Sequence, residues 1–344
     1  MKNRIAKLVA IGKVEIFEEE LPSLKEDEVL VAIKSVGICG SDMHYFLEGG
    51  LGSFKQPLPM HIGHEPSGVI VESKGETGFK KGERVIIEPG LPCGWCEWCL
   101  KGRHNLCLQG LFMGATQQGG IADYAIVHKR QLFRLPDSMS DNLGALLEPI
   151  GVGLHTVNLT KPRATDSATI FGAGPIGLCL MSVLQKFGLK EIYMVDVLPY
   201  KVKLAKKMGA TDAFIYSDAV KEIKRITQKK GTTFAYDTAG KNESISGCVD
   251  IVSIGGTIGL VGIPTEDFVT YNPHKLRTKE VTMQNVRRSN QTLEDGIKLY
   301  LNDNVIEKII THEFKLTDTQ KAFDILANYS DKVVKCMIKP DQAI

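Results

Sequence analysis

Cys39 stands between two glycines in the stretch GICGSDMHYF, residues 37–46, with Ser41, Asp42 and His44 close behind it. A cysteine so placed is a metal ligand or a nucleophile only if other groups are brought to it. The segment HIGHEPSG offers them, because His64 and Glu65 are adjacent there. Alone, a neighbouring His and Glu read as a surface pair. Joined to Cys39 they supply sulfur, nitrogen and oxygen to a zinc ion with one place left for water or substrate, the arrangement of a catalytic site. Cys93, Cys96, Cys99 and Cys107 form a second set, in CGWCEWCLKGRHNLC, at the spacing C-x2-C-x2-C-x7-C. Four thiolates so close in sequence enclose one tetrahedral zinc with no open position, which is a structural arrangement. An iron–sulfur cluster uses the same residue type, but nothing else in the chain points to one-electron chemistry. In LLEPIGVGLHT, Glu148 precedes Pro149 at what reads as the start of a helix, where the helix dipole alone also favours an acidic residue.

The segment IFGAGPIG carries Gly172, Gly174 and Gly177 as G-x-G-x-x-G, with Pro175 and Ile176 inside it, between an apolar β-rich run and a helix-period one. Glycines at those places make a tight turn and let the backbone approach a pyrophosphate at a helix N-terminus. Asp196 ends the next apolar run, YMVDV, at the spacing of about 20 residues at which a carboxylate reaches an adenosine ribose 2′-hydroxyl. The same carboxylate repels a 2′-phosphate, so NAD is expected rather than NADP.

These groups need elements to hold them. From residue 168 onward short apolar runs alternate with helix-period segments, the pattern of a doubly wound parallel sheet. Strands are expected in ATIFGAG, EIYMVDV, DAFIY, FAYDTAG, TIGLVGIP and VTMQNV, with helices in IGLCLMSVLQKFG and YKVKLAKKMGA. The first half has short strands bounded by glycine, proline and charged turns, as in DEVLVAIKSVG, GERVIIEPG and ADYAIVHKR, and reads as a separate β-rich domain. Amphipathic helices in TLEDGIKLYLND and TDTQKAFDILAN and a strand in VVKCMIKP close the chain.

A chain of 344 residues is expected to form two domains, each with its own core. The composition, 43% hydrophobic and 24% charged with no bilayer-length apolar run, is that of a soluble protein without membrane contact. Acidic residues interrupt the N-terminus before any signal-peptide core, so a cytoplasmic location is expected. A net charge of +2 with both signs interleaved offers no basic stripe for nucleic acid. The expected partner is a small molecule.

SVGICGSDMHYF, GHEPSG, the four-cysteine lobe, LLEPIGVGLHT and GAGPIG follow one another in this order. In that order they resemble the zinc-containing medium-chain dehydrogenases, and within them the polyol dehydrogenases of the sorbitol dehydrogenase type, over nearly the whole chain. The resemblance implies an α/β fold: a GroES-like β-rich catalytic domain, residues 1–152 and 286–344, around a Rossmann NAD-binding domain, residues 153–285. It implies two zinc ions per chain. The catalytic one is held by Cys39, His64 and Glu65, with Glu148 bridged through a water or replacing it; the structural one is held by the four clustered cysteines. The glycines flanking Cys39 are expected to let the turn pass close to the metal.

Zinc in such an enzyme polarises the substrate hydroxyl and stabilises the alkoxide from which hydride leaves toward the nicotinamide. The resemblance further implies that Ser41 bonds the substrate oxygen, that His44 ends a proton relay, and that Glu148 offers a second proton route. Tyr45 and Arg287 are expected at the substrate. Two departures from the animal sorbitol dehydrogenases, Arg288 for a tyrosine and Met113 for an aromatic, are expected to line the same pocket. Lys201, Val261, Gly262, Ile263, Asn285, Val286 and Arg287 are expected at the cofactor. The expected reaction is NAD-linked oxidation of a polyol to a ketose. Alternatives are the same chemistry on a sugar-alcohol phosphate, for which Arg287 and Arg288 supply charge, and a non-catalytic nucleotide-binding descendant, which has no need of an open metal site. A homodimer or homotetramer paired edge to edge near GGTIGLVGIP is also implied.

Overall fold

The computed structural model describes residues 1–341. They divide into two units, one comprising Met1–Glu148 and the chain from Leu293 onward, the other Pro149–Thr292. Residues 149–152 and 286–292, expected in the first domain, therefore lie in the second unit.

In the first unit the strand Glu28–Gly37 is the centre of a seven-stranded sheet. It pairs antiparallel with Glu65–Ser73, with Tyr124–His128 and with Lys335–Lys339. Its sequence EVLVAIKSVG is nearly continuous in apolar residues rather than alternating, and nearly all of it is buried, as a strand covered on both faces demands. Val29, Val31, Ile33 and Val36 share one core with Ile62, Ile70, Val85, Ile87, Phe323 and Ile338. The C-terminal tail is part of that core. Phe323, in the helix Thr319–Ala327, packs at a tilt against Phe46 of the helix Gly40–Glu48, with ring centroids 5.1 Å apart.

Glu148 does not begin a helix; it sits inside the helix Asp141–Thr160, with Pro149 also within it. Proline was the misleading signal, since it favours a first helical turn, and inside a helix it removes a backbone bond and crowds the carbonyl four residues back. The true start is the Ser140 hydroxyl, which accepts the Leu143 N–H at 2.9 Å. Residues 143–150 are all buried, so the segment lacks the polar face by which a helix is recognised.

The second unit holds six parallel strands in the spatial order Asp212–Ile215, Glu191–Asp196, Ser167–Phe171, Thr232–Asp237, Val252–Leu260 and Thr282–Asn285. In chain order this is 3-2-1-4-5-6, a doubly wound sheet whose order reverses beside Ser167–Phe171, where such sheets bind nucleotides. All six expected strands form. The expected pairing edge is misplaced, because Val252–Leu260 is bracketed by Thr232–Asp237 and Thr282–Asn285. The outermost strand on that side of the sheet is Thr282–Asn285. Among the described residues no helix is long and apolar enough to cross a membrane.

Candidate functional site

The strand Glu28–Gly37 delivers Cys39 to the N-terminus of the helix Gly40–Glu48, where it is the cap residue. Asp42, three residues on, folds back and accepts the Cys39 N–H through Oδ2 at 2.9 Å. Its Oδ1 accepts the Gly63 N–H at 3.1 Å and lies 3.6 Å from His64 Nδ1. One buried carboxylate thus fixes both the cysteine turn and the histidine, and leaves Nε2 as the outward nitrogen. Ser41 Oγ lies 3.5 Å from that Nε2. Phe112 covers the imidazole with ring centroids 5.4 Å apart.

Glu65 follows at the start of the strand Glu65–Ser73 and is 1% exposed. Donor atoms of Cys39, His64 and Glu65 all lie within 4.8 Å of one another. Glu65 Oε1 is buried with no hydrogen-bond partner among the described residues. An unpaired carboxylate oxygen is costly in the interior unless a cation satisfies it, and sulfur, nitrogen and oxygen so grouped suit zinc with a place open. Glu148 stands outside this three-donor group. Burial, opposed by His64 and aided by Glu65 and Glu88, pushes its carboxyl up to about 8.

Of the glycines flanking Cys39, Gly40 has open space around it, and a side chain there would meet nothing. Gly37 is needed, because a Cβ there would stand 2.0 Å from Glu65 Oε2.

Burial works against a proton on His64, but Asp42 and Cys39 outweigh it and hold the imidazolium well above the usual histidine range. A zinc ion held here would have to displace that proton. Affinity at this site is therefore expected to climb with pH until the pKa of His64 is passed. Zinc titrations at a series of pH values test this, and a flat profile would contradict it.

The second cluster has the geometry of a closed site. All four sulfurs of Cys93, Cys96, Cys99 and Cys107 lie within 4.8 Å of one another. Backbone N–H groups point at them: Cys93 N–H to Cys107 Sγ at 3.3 Å and Cys96 N–H to Cys93 Sγ at 3.4 Å. The Cys99 N–H and neighbouring thiols bring Cys96 down to about 6, while burial pushes Cys99 up to about 12.

Within the second unit, the glycine turn joins the strand Ser167–Phe171 to the helix Pro175–Lys186, with Gly174 as cap and Pro175 and Ile176 opening the first turn. Gly172 has φ of 108°, and a Cβ on Gly177 would stand 1.9 Å from the Gly172 carbonyl oxygen. Only glycine fits at both. Asp196 ends its strand with Oδ2 accepting the Ala173 N–H at 2.8 Å and Oδ1 accepting the Leu198 N–H at 2.9 Å. Lys201 is 8% exposed; burial lowers its pKa while Asp196 raises it. Val261, Gly262 and Ile263 follow the strand Val252–Leu260, and Asn285, Val286, Arg287 and Arg288 end or follow Thr282–Asn285. All stand at the carboxyl ends of parallel strands, the nucleotide-binding edge of such a sheet.

The helix Gly40–Glu48 also carries His44, which faces Glu48 at 3.9 Å, and Tyr45, 7% exposed. Met113 is 2% exposed and packs in the core of the first unit. The aromatic group against His64 is its neighbour, Phe112.

Residues 25–137 match the family model of the alcohol dehydrogenase GroES-like domain, and residues 175–302 that of the zinc-binding dehydrogenase. A sorbitol dehydrogenase of Bacillus subtilis is 33% identical over 327 residues, 94% of this chain and 93% of that protein. The chain belongs to the zinc-type medium-chain dehydrogenases. Among solved structures, galactitol-1-phosphate dehydrogenase from Escherichia coli superposes with a TM-score of 0.89 at 28% identity, over 98% of this chain and 100% of that one. A zinc-binding dehydrogenase from Sinorhizobium meliloti, bound to NADP, superposes with a TM-score of 0.90 at 25% identity, over 99% and 100%. This member of the family is a zinc-dependent dehydrogenase built from a GroES-like domain and a Rossmann-type parallel sheet, and it uses zinc and a nicotinamide cofactor.

Sequence reasoning missed Asp42 and Lys335. Asp42 had a signal, an acid three residues after a helix cap. Lys335 contacts Glu65 from 270 positions away, and no local pattern announces it.

Proposed function

We propose that this dehydrogenase oxidises a secondary hydroxyl of a polyol to a ketose with NAD, reversibly, using one zinc at Cys39, His64 and Glu65 and a second at Cys93, Cys96, Cys99 and Cys107. The buried, unpartnered Oε1 of Glu65 beside a thiol and an imidazole carries the first assignment. Zinc bound there lowers the pKa of a hydroxyl. Ser41 Oγ, beside His64 Nε2, takes the substrate proton, and half-buried His44 passes it outward. Glu148, whose carboxyl burial pushes up to about 8, is the second proton carrier. The enzyme acts in the cytoplasm as a homodimer or homotetramer paired through the edge strand Thr282–Asn285; light scattering showing only monomer would refute the pairing.

Likeness to a sorbitol dehydrogenase supports the polyol. A site made to bond several hydroxyls rejects molecules that lack them, because its buried polar groups are left unpaired. Sorbitol- or xylitol-like substrates are expected to exceed ethanol by orders of magnitude in kcat/KM. Equal turnover of both would return the protein to a general alcohol dehydrogenase. The galactitol-1-phosphate dehydrogenase likeness, with Arg288 in this chain, supports a second reading in which the polyol is phosphorylated. In that case Arg288→Tyr raises KM for the phosphate and leaves the free polyol nearly unchanged.

The cofactor reading rests on Asp196, against the NADP seen in one relative. Asp196→Asn keeps the shape and part of the backbone bonding but removes the charge. Discrimination against NADP is expected to fall at least about tenfold, the like-charge repulsion being lost. Wild-type kcat/KM higher with NADP than with NAD would refute the assignment.

A further inference from the structure

Lys335 opens the strand Lys335–Lys339 yet is 1% exposed. Its Nζ donates to Glu65 Oε2 and, at 2.9 Å, to the Ile38 carbonyl oxygen. Lys335 and Glu65 belong to strands on opposite sides of Glu28–Gly37. Gly37 is the gap between them. A Cβ there would stand 2.0 Å from Glu65 Oε2 and 2.8 Å from Lys335 Cε, so the glycine before Cys39 exists to let this ion pair form.

We propose that Lys335 is the positioning residue that sets the state of Glu65 at the metal. It occupies Oε2, leaves Oε1 as the single oxygen for the ion, and keeps a positive charge beside it. The inference rests on the reading of Cys39, His64 and Glu65 as zinc ligands. Thiolate and carboxylate neutralise a zinc dication, and a buried ammonium adds one positive charge to that sum. Like charge beside a cation weakens its binding but lowers the pH at which a hydroxyl at the open place gives up its proton. Lys335 thus trades zinc affinity for acidity.

The test uses the full-length, zinc-loaded protein and its Lys335→Met variant. Stripping zinc from the Cys39 site is expected to need at least about tenfold more chelator in the variant, the opposing cation being gone, while the four-cysteine zinc is unchanged. The pH of half-maximal kcat for oxidation is expected to rise by about one unit, a tenfold change in proton concentration. Lys335→Arg is expected to keep the wild-type profile. If Lys335→Met does not fold, Lys335→Gln carries the same expectation. Easier zinc loss than in wild type, or unchanged chelation and pH profile with only lower stability, overturns the proposal. A wild type with no zinc at Cys39 refutes the underlying reading instead.

Discussion

Cys39→Ser is expected to lower turnover by well over a hundredfold while the protein stays folded and loses one zinc per chain. The change removes a zinc ligand, and disturbing only the outer partners of such ligands already costs about 10–100-fold. Folding is spared because Cys39 caps the helix Gly40–Glu48 and serine is a better cap than cysteine. Asp42 still accepts the backbone N–H of residue 39, since that bond does not involve the sulfur. Metal analysis, circular dichroism and a rate with alcohol and cofactor together check the expectation. A variant with normal zinc content and normal rate would remove Cys39 from the mechanism.

Cys99→Ser is expected to act on stability instead. Cys99 is the buried member of the four-cysteine cluster, and its Sγ lies 3.5 Å from that of Cys96 and 3.8 Å from that of Cys93. A closed four-thiolate zinc contributes folding energy directly, about 10–16 kcal/mol of apparent binding free energy in small zinc peptides, against a typical domain stability of about 5–15 kcal/mol. The variant is expected to lose the second zinc, to melt at markedly lower temperature and to be cut by proteases within residues 93–107. Turnover per folded molecule falls far less than in Cys39→Ser. Unchanged melting with one zinc missing would show that the lobe is not a structural zinc site.

That the four cysteines gather into one cluster was legible in the sequence, because their type and close spacing are local properties. The six strands of the second unit were legible too, since each is a short β-rich run closed by glycine or a charged turn. The interior helix Asp141–Thr160 was not. Its buried run Leu143–Ile150 has no polar stripe, and Pro149 imitates a helix start, whereas Ser140, the actual cap, looks like any loop serine. Neither was the Lys335–Glu65 pair, because a contact across three strands depends on register and on the missing side chain of Gly37. Asp42 lies between these cases. Its spacing from Cys39 marks a helix cap, but that it also steadies His64 follows only from the fold.

The most direct test follows NADH absorbance with a polyol and NAD while zinc is removed and returned. Gentle chelation is expected to take the ion from the open Cys39 site first, to abolish NAD reduction with one zinc still bound per chain, and to be reversed by zinc alone. NAD reduction that continues undiminished after the Cys39-site zinc has gone would contradict the account.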